Sequence, residues 1–312
     1  MNQVVYNILN KIVLIPLIHI IPKRKIAWVE NSESGISLLT CHDDLPLLII
    51  ALNSFYHFSK LQLPCQVFDD GSLTKKDHQL LKKKFPGIKI IPNTYSYTKT
   101  IKLLQHYPFS KKQRSSVMPN NIHRKHFDVL LLSPYHKIIF FDSDTLFLNI
   151  PTSMVQWATN GEKTCLYACQ FEYPDYEIEG THFCCTMVAR ILSEKYKKFD
   201  IYYFNSGLMC FHKEAYSQER IETLLKYLYS VGLEKSWAAR QFIISVLISD
   251  YNNQKLSNKY IHIRTPEEFR RILKKGLSNY IFNHYSFTAR QYFYPAALYL
   301  LMKTRFFRKQ QP

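Results

Sequence analysis

The chain has 312 residues, of which 46% are apolar and 15% aromatic, which is enough for a packed core and excludes overall disorder. Its 41 lysines and arginines outnumber 24 aspartates and glutamates, giving a net charge of +17. This surplus favours an anionic partner: nucleic acid, anionic lipid or a phosphorylated small molecule. The basic clusters carry no helix-turn-helix, zinc-finger or RNA-recognition signature, so we expect no nucleic-acid partner.

The first segment, 1–34, is an apolar and basic arm. Its apolar run at 12–21, IVLIPLIHII, precedes a basic stretch and is too short to span a bilayer as a helix. Two interpretations stay open: contact with an anionic membrane surface, or packing on the core. The tail, 296–312, repeats this apolar and basic character. Seven cysteines, an odd count, indicate buried thiols in a reducing compartment. We therefore expect a cytoplasmic protein, with peripheral attachment to the inner face of the membrane left open.

Strand-like and helix-like segments alternate after the arm, at 36–40, 47–58, 65–68, 73–85 and 88–91. This alternation predicts a parallel sheet with crossover helices, whose ligands gather at the carboxyl ends of the strands. The stretch 93–121 is expected to mix helix with a loop around 111–120, and 126–132 to be helical. Further strands are predicted at 137–141, 165–169, 204–211 and 259–263, and helices at 220–229 and 237–247. No linker interrupts this pattern, so 35–295 is expected to be one α/β domain.

The most hydrophobic of these strands, KIIFF at 137–141, ends on Asp142-Ser143-Asp144. Two carboxylates separated by one residue share a face of a continuing strand, and in a turn they can also converge on one ion. Hard divalent cations prefer such oxygen ligands. The alternative is that Asp142 caps the following segment and Asp144 is simply exposed.

The segment 124–148, RKHFDVLLLSPYHKIIFFDSDTLFL, resembles the helix-turn-strand-DxD block of GT-A-fold glycosyltransferases, and most closely those of glycosyltransferase family 8. The resemblance implies a Rossmann-like fold with a mostly parallel central sheet and flanking helices. It also implies that Arg124 or Lys125 contacts the donor diphosphate or sugar. Upstream, VFDDGSLTKKD at 67–77 is similar to the second-strand signature of GT-A enzymes. In those enzymes an Asp at the strand end contacts the nucleoside, which implies Asp69 or Asp70. The end of the first strand, with Thr40 and His42, matches the position where such folds begin to cradle the base and ribose, and Ser143 of the DxD motif is a further implied donor contact.

Two downstream blocks extend the resemblance. FNSGLM at 204–209 resembles the family block near the transferred sugar, which implies roles for Asn205, Ser206 and Gly207. The glycine suits a place where the chain approaches a ligand closely. FNHYSFTARQYFYP at 282–295 resembles the segment whose histidine completes the metal site, so His284 is the implied third ligand and Arg290 an implied diphosphate contact.

Two departures from the family pattern accompany these matches. The helix after the FNSG block keeps Gln241, an implied catalytic residue, but has Arg240 where an acidic residue is usual. The aromatic and acidic stretch 171–180 matches no assignable block, and its aromatic residues either stack on a sugar or pack.

The resemblance implies a metal-dependent glycosyltransferase that uses Mn²⁺ or Mg²⁺ and a nucleotide-diphospho-sugar, a UDP-sugar being the expected donor. The acceptor is a glycan, a lipid-linked intermediate or a protein, and retention of anomeric configuration is expected. Three alternatives remain: a catalytically weak nucleotide-sugar-binding protein on the same scaffold, a basic membrane-surface binding protein, and a phosphoryl-transfer enzyme. The last lacks the GxxxxGK[ST] loop of the P-loop class.

Overall fold

A seven-stranded sheet forms the centre of the computed structural model, which describes Ile12 and residues 15–26, 32–116, 123–169 and 204–304. The strands in these ranges are β1 Ser34–Thr40, β2 Cys65–Asp69, β3 Lys89–Ile91, β4 Lys137–Phe141, β5 Thr145–Phe147, β6 Cys165–Cys169, β7 Phe204–His212, β8 Asn253–Lys255, β9 Tyr260–Ile263 and β10 Phe282–Tyr285. The large sheet has the order β3-β2-β1-β4-β7-β6-β8, and β5-β10-β9 form a small second sheet.

The first four strands of the large sheet run parallel, so their carboxyl ends lie at one edge. In the β1–β2 pair, Thr40 lies opposite Asp69, and β4 pairs with the other side of β1. Strand β4 is buried along its whole length, as expected for a strand that is covered by helices on both faces. Strand β7 is antiparallel to β4 and β6. The predicted α/β class with a mostly parallel sheet is confirmed.

Helices cover both faces of the sheet, and their ends follow ordinary capping rules. Thr74 and Asp77 form a capping box at the helix Lys75–Lys84, and Thr265 and Glu268 form another at the helix Pro266–Lys275. The helix Leu45–Ser59 is capped by Lys60, which adopts a left-handed conformation. The helices of the described ranges are α1 Ile15–Ile20, α2 Leu45–Ser59, α3 Lys75–Lys84, α4 Asn93–Leu103, α5 Pro108–Ser115, α6 Leu130–Leu132, α7 Thr152–Thr159, α8 Gln218–Ser230, α9 Trp237–Ser249, α10 Pro266–Lys275 and α11 Phe293–Thr304.

Two local differences from the sequence-based prediction concern the region between β3 and β4. The loop expected at 111–120 is not present at 111–115, because α5 continues to Ser115; residues 117–120 lie outside the described residues. Tertiary hydrogen bonds hold it: Glu222 of α8 accepts from the Ser110 amide at 2.8 Å, and Tyr229 donates to Gln113 at 3.0 Å. The helix predicted at 126–132 begins instead with a π-helical segment, Lys125–Val129, that runs directly into α6.

The described part of the N-terminal arm packs on the core. Leu17, Ile18 and Ile21 are buried in the same hydrophobic cluster as Leu300 near the other end of the described chain. The Nζ of Lys84 donates to the Ile21 carbonyl at 2.8 Å. Packing of the arm, one of the two open interpretations, is therefore present in residues 15–26. Within the described ranges, no helix is long and apolar enough to cross a membrane.

A buried ion pair anchors the π-helical segment. Arg114 of α5 donates two hydrogen bonds of 2.7 Å to Asp128, and the two side chains are only 2% and 1% exposed. The hydroxyl of Thr100 also donates to Asp128 at 3.1 Å. Because Lys125 lies one turn before Asp128, this pair fixes the backbone that carries Lys125.

We expect Arg114→Met to lower the free energy of unfolding by about 3–5 kcal/mol, because it leaves the Asp128 carboxylate buried without its counterion. The surface pair of Arg220 and Asp250 provides the control: Arg220→Met should cost less than about 1 kcal/mol. Urea unfolding monitored by circular dichroism measures both. Replacing both buried partners, by Arg114→Met with Asp128→Leu, should recover part of the loss; equal costs for the two single Arg→Met variants would contradict this account.

Candidate functional site

A cleft of about 830 Å³ opens at the carboxyl edge of the parallel strands. The ends of β1 and β2 form one wall, the turn after β4 forms the floor, and residues of β7, β9, β10 and the following segment form the other wall. Its lining is polar and acidic, with few apolar side chains. The lining residues are Leu39, Thr40, Cys41, His42, Asp43, Asp44, Asp70, Ser72, Lys125, Asp142, Ser143, Asp144, Asn205, Ser206, His262, His284, Ser286, Phe287 and Arg290.

Three predicted metal ligands converge on the floor of this cleft. Single ligand atoms of Asp142, Asp144 and His284 all lie within 4.8 Å of one another. The Nε2 of His284 is 3.3 Å from Oδ1 of Asp144 and 3.9 Å from Oδ2 of Asp142. The two carboxylates sit in the turn between β4 and β5, while the imidazole comes from β10. One imidazole and two carboxylates form a donor set that suits Mn²⁺ and related divalent cations.

The imidazole of His284 is oriented by β7. Its Nδ1 lies 3.0 Å from Oδ1 of Asn205, and the Gly207 amide donates to that same oxygen at 2.9 Å. Since a carbonyl oxygen can only accept, we assign a proton to Nδ1, and Nε2 is the ring nitrogen that faces the carboxylates. An outer hydrogen bond of this kind is the usual way that a ligating histidine is held.

The imidazole of His284 leaves no room for a side chain at residue 207. A Cβ built on Gly207 would lie 2.3 Å from ring atoms of His284. The sequence predicted a close approach to a ligand at this glycine; the close approach in the structure is to the histidine side chain. Its backbone φ is not in the left-handed region, so the requirement is steric and not conformational.

Lys125 places a positive charge next to the carboxylate of Asp142. Its Nζ lies 2.7 Å from Oδ1 of Asp142 and 3.4 Å from the carbonyl oxygen of Ser206. The side chain is buried and lies over the Phe140 ring at 5.0 Å. It extends from the first residue of the π-helical segment, a helix type that recurs at functional sites. The ammonium group therefore offsets charge on the carboxylate pair and faces the cleft.

Arg290 links the two walls of the cleft. Its guanidinium pairs with Asp44, which precedes α2, and its Nε lies 3.5 Å from Oδ2 of Asp144. Burial favours a higher pKa for Asp144, but His284 and Arg290 together hold that pKa below its ordinary value. Burial raises the pKa of Asp44, although Arg290 opposes the shift. Asp144 is therefore ionised at neutral pH, as a metal ligand must be.

The predicted nucleoside contacts fall into two groups. Thr40 and Ser143 meet at 3.2 Å between their hydroxyls, inside the cleft. His42 and Asp70 also line it, but His42 pairs with Asp77 at 2.7 Å and one Asp70 oxygen accepts from the Ser72 amide at 2.9 Å. These two side chains thus also stabilise the loop that follows β2.

Three other predicted residues lie behind the lining of the cleft. Asp69 accepts from the backbone amides of Gly71 at 2.6 Å and Leu73 at 3.2 Å. Arg124 donates to the Asp70 carbonyl at 2.5 Å. Gln241 donates to the carbonyl of Phe204 at the start of β7. The Arg240 side chain and the stretch 171–180 lie outside the described residues.

His262 and Asp44 are among the cleft residues to which the sequence analysis assigns no role. His262 on β9 stacks on His284, with ring centroids 4.3 Å apart and an interplanar angle of 11°. The parallel register of β9 and β10 places these two residues opposite each other, which no local motif reveals. Asp44 follows the end of β1 in the sequence, a position that could have identified it as a cleft residue.

No family model and no curated protein sequence matches this chain, whereas solved glycosyltransferases are similar to it in structure. The apo form of the bifunctional glycosyltransferase WbbM is similar at TM-score 0.55 and 11% identity, over 90% of this chain and 51% of WbbM. This chain therefore spans about half the length of WbbM. The galactosyltransferase LgtC in complex with donor and acceptor sugar analogues is similar at TM-score 0.50 and 12% identity, over 89% of this chain and 97% of LgtC.

These likenesses define the class of fold. An active-site mutant of LgtC gives a similar result, with TM-score 0.51, 11% identity and coverage of 86% and 95% of the two chains. The chain has the GT-A glycosyltransferase fold, and its structural relatives include LgtC, a member of family 8. The predicted resemblance is confirmed at the level of fold, which is all that identities of this size establish.

We expect Gly207→Ala to weaken Mn²⁺ binding at least about tenfold, because the added methyl group displaces the imidazole of His284. The control is Gly161→Ala, since a Cβ at Gly161 meets no atom within 4 Å. Electron paramagnetic resonance of free Mn²⁺ during titration measures binding, and circular dichroism verifies the fold. Unchanged Mn²⁺ affinity in a folded Gly207→Ala protein would show that His284 is not a ligand.

Proposed function

We propose that this protein transfers a sugar from a nucleotide-diphosphate donor in a reaction that depends on a divalent cation bound by Asp142, Asp144 and His284. The observation that carries the proposal is the convergence of these three side chains on the floor of a cleft in a GT-A fold. The structure of LgtC with donor and acceptor sugar analogues supports the choice of substrates. The expected donor is a UDP-sugar, and the acceptor is a glycan, a lipid-linked intermediate or a protein.

The residues present fit a cation such as Mn²⁺ or Mg²⁺. Asp144 is held in its ionised form, and the hydrogen bond from His284 Nδ1 to Asn205 directs Nε2 at both carboxylates. The cation, when bound, supplies Lewis-acid stabilisation of the negative charge that develops on the departing diphosphate.

Two cationic side chains of the cleft provide further stabilisation. Lys125 and Arg290 place an ammonium and a guanidinium beside the carboxylates, where both would be available to contact the donor diphosphate. Fixed positive charges of this kind favour the transition state as charge moves onto the leaving group. Arg290 would exchange its pairing with Asp44 for a bidentate phosphate contact.

Asn205 is suited to contact the transferred sugar. Its Oδ1 is occupied by His284 and Gly207, while its Nδ2 is buried and has no hydrogen-bond partner among the described residues. A buried amide donor without a partner costs free energy, which a substrate hydroxyl at this position would recover. We assign Asn205 to substrate binding at the reaction centre. Gln241, which contacts the backbone of Phe204, supports the strand from behind.

Retention of the anomeric configuration is the outcome that the family resemblance implies. Asp142 and Asp144 converge with His284 as ligands of one cation would, whereas a glycoside hydrolase needs two carboxyl groups that flank the glycosidic bond. A binding protein that does not turn over its donor remains the rival on the same scaffold, because of Arg240. Binding and turnover must therefore be measured separately.

Asp144→Asn is expected to reduce Mn²⁺-dependent hydrolysis of the preferred nucleotide sugar by more than about 100-fold, because it removes an anionic ligand of the cation. The substrate panel is UDP-glucose, UDP-galactose, GDP-mannose and their parent nucleotides, with and without EDTA. Release of nucleotide is followed by chromatography.

Asp250→Asn is the matched control, since Asp250 forms only a surface pair with Arg220. Its hydrolysis rate should equal that of the wild type. Turnover by Asp144→Asn at the wild-type rate would exclude the metal site. Nucleotide-sugar binding without turnover by the wild type would identify a binding protein instead of a transferase.

A further inference from the structure

Phe287 occupies an unusual backbone conformation at the edge of the cleft. Its φ of +51° lies in the left-handed region, which among the described residues other than glycine is shared only with the helix-terminating Lys60. A bulky aromatic residue there is a genuine outlier, because its Cβ crowds the following carbonyl. Glycine adopts this conformation without that strain.

The Phe287 side chain is also unusually exposed for an aromatic residue. It is 61% exposed and is among the residues that line the cleft. Exposure on this scale leaves most of the Phe287 surface open to the cleft. Apolar area lowers the free energy only when it leaves water, so a ligand in the cleft that covers this ring gains that burial.

The position of Phe287 connects it with the proposed donor site. It lies three residues after His284 and three residues before Arg290, whose side chains flank Asp144. The hydrogen bond from the Tyr285 amide to the Asp144 carbonyl, at 2.8 Å, joins this segment to the metal turn. Phe287 and Arg290 line the same cleft, so a donor whose diphosphate contacts Arg290 would have the Phe287 ring within that cleft.

We propose that Phe287 is a specificity-determining residue that stacks on a flat ring of the nucleotide-sugar donor. This inference rests on the proposed function and adds a residue to its donor site. Strain that persists at a ligand site is a recognised way of pre-organising a contact. Either ring of the donor, the nucleobase or the transferred sugar, presents the apolar face that such stacking needs.

The test compares four proteins by isothermal titration calorimetry in Mn²⁺: wild type, Phe287→Ala, Phe287→Gly and Phe287→Tyr. The titrants are UDP, GDP, UDP-galactose and GDP-mannose. Phe287→Ala and Phe287→Gly should each bind the preferred donor about tenfold more weakly, while Phe287→Tyr should stay within about twofold of wild type because it keeps the ring.

Thermal melting distinguishes the effect of losing the Phe287 ring from the effect of relieving the backbone strain. Both Phe287→Ala and Phe287→Gly lack the ring, but only glycine relieves the strain at positive φ, so the glycine variant should melt at the higher temperature. Tyr95→Ala is the control for loss of an exposed aromatic residue, since Tyr95 is 56% exposed and does not line the cleft. It should leave donor affinity unchanged.

The titrants identify which ring is contacted. If Phe287→Ala lowers the affinity for the nucleotide and for the nucleotide sugar equally, the ring stacks on the base. If it lowers the affinity for the nucleotide sugar alone, the ring stacks on the sugar. Both results support the proposal. Wild-type affinity in Phe287→Ala for every titrant overturns it while leaving the proposed function intact. Failure of the wild type to bind any titrant overturns the proposed function and this inference together.

Discussion

The candidate site depends on one junction, where the chain leaves the large sheet and enters the small one. Strand β4 ends at Phe141 and β5 begins at Thr145, so the turn between the sheets consists of the two aspartates and Ser143. Antiparallel pairing of β5 with β10 places His284 opposite Thr145. Because side chains alternate along a strand, a slip of one residue in this pairing would turn the imidazole away from the carboxylates.

The same junction concentrates negative charge that the protein compensates with two basic residues. Carboxylates removed from water are costly unless they are paired or bind a cation. Lys125 meets Asp142, and Arg290 is shared between Asp44 and Asp144. The two basic residues do not balance the negative charge where the ligand atoms of Asp142, Asp144 and His284 converge, and a divalent cation would balance it. The Lys125–Asp142 and Arg290–Asp44 pairs would then open, and the two basic side chains would be available to a phosphate group.

The parts of this arrangement that are encoded locally can be predicted from the sequence. The buried strand before Asp142 is recognisable as an apolar run, and the FNSG block that ends at Gly207 is recognisable as a motif. What could not be predicted depends on pairing between distant segments. The stacking of His262 on His284 follows from the β9–β10 register, and the extension of α5 to Ser115 follows from hydrogen bonds to α8. The site roles of the remaining motif residues stay predictions.

The charge of the whole chain and the charge of the cleft have opposite signs. The net charge is +17, and a field of that sign draws anionic ligands toward the surface. Among the described residues that line the cleft, in contrast, five are aspartates and two are Lys or Arg. The aspartates are Asp43, Asp44, Asp70, Asp142 and Asp144. A free diphosphate meets repulsion at short range, where screening is weakest. On the proposed function, the cation must therefore enter before the nucleotide sugar or together with it, so that metal binding determines whether the donor is retained.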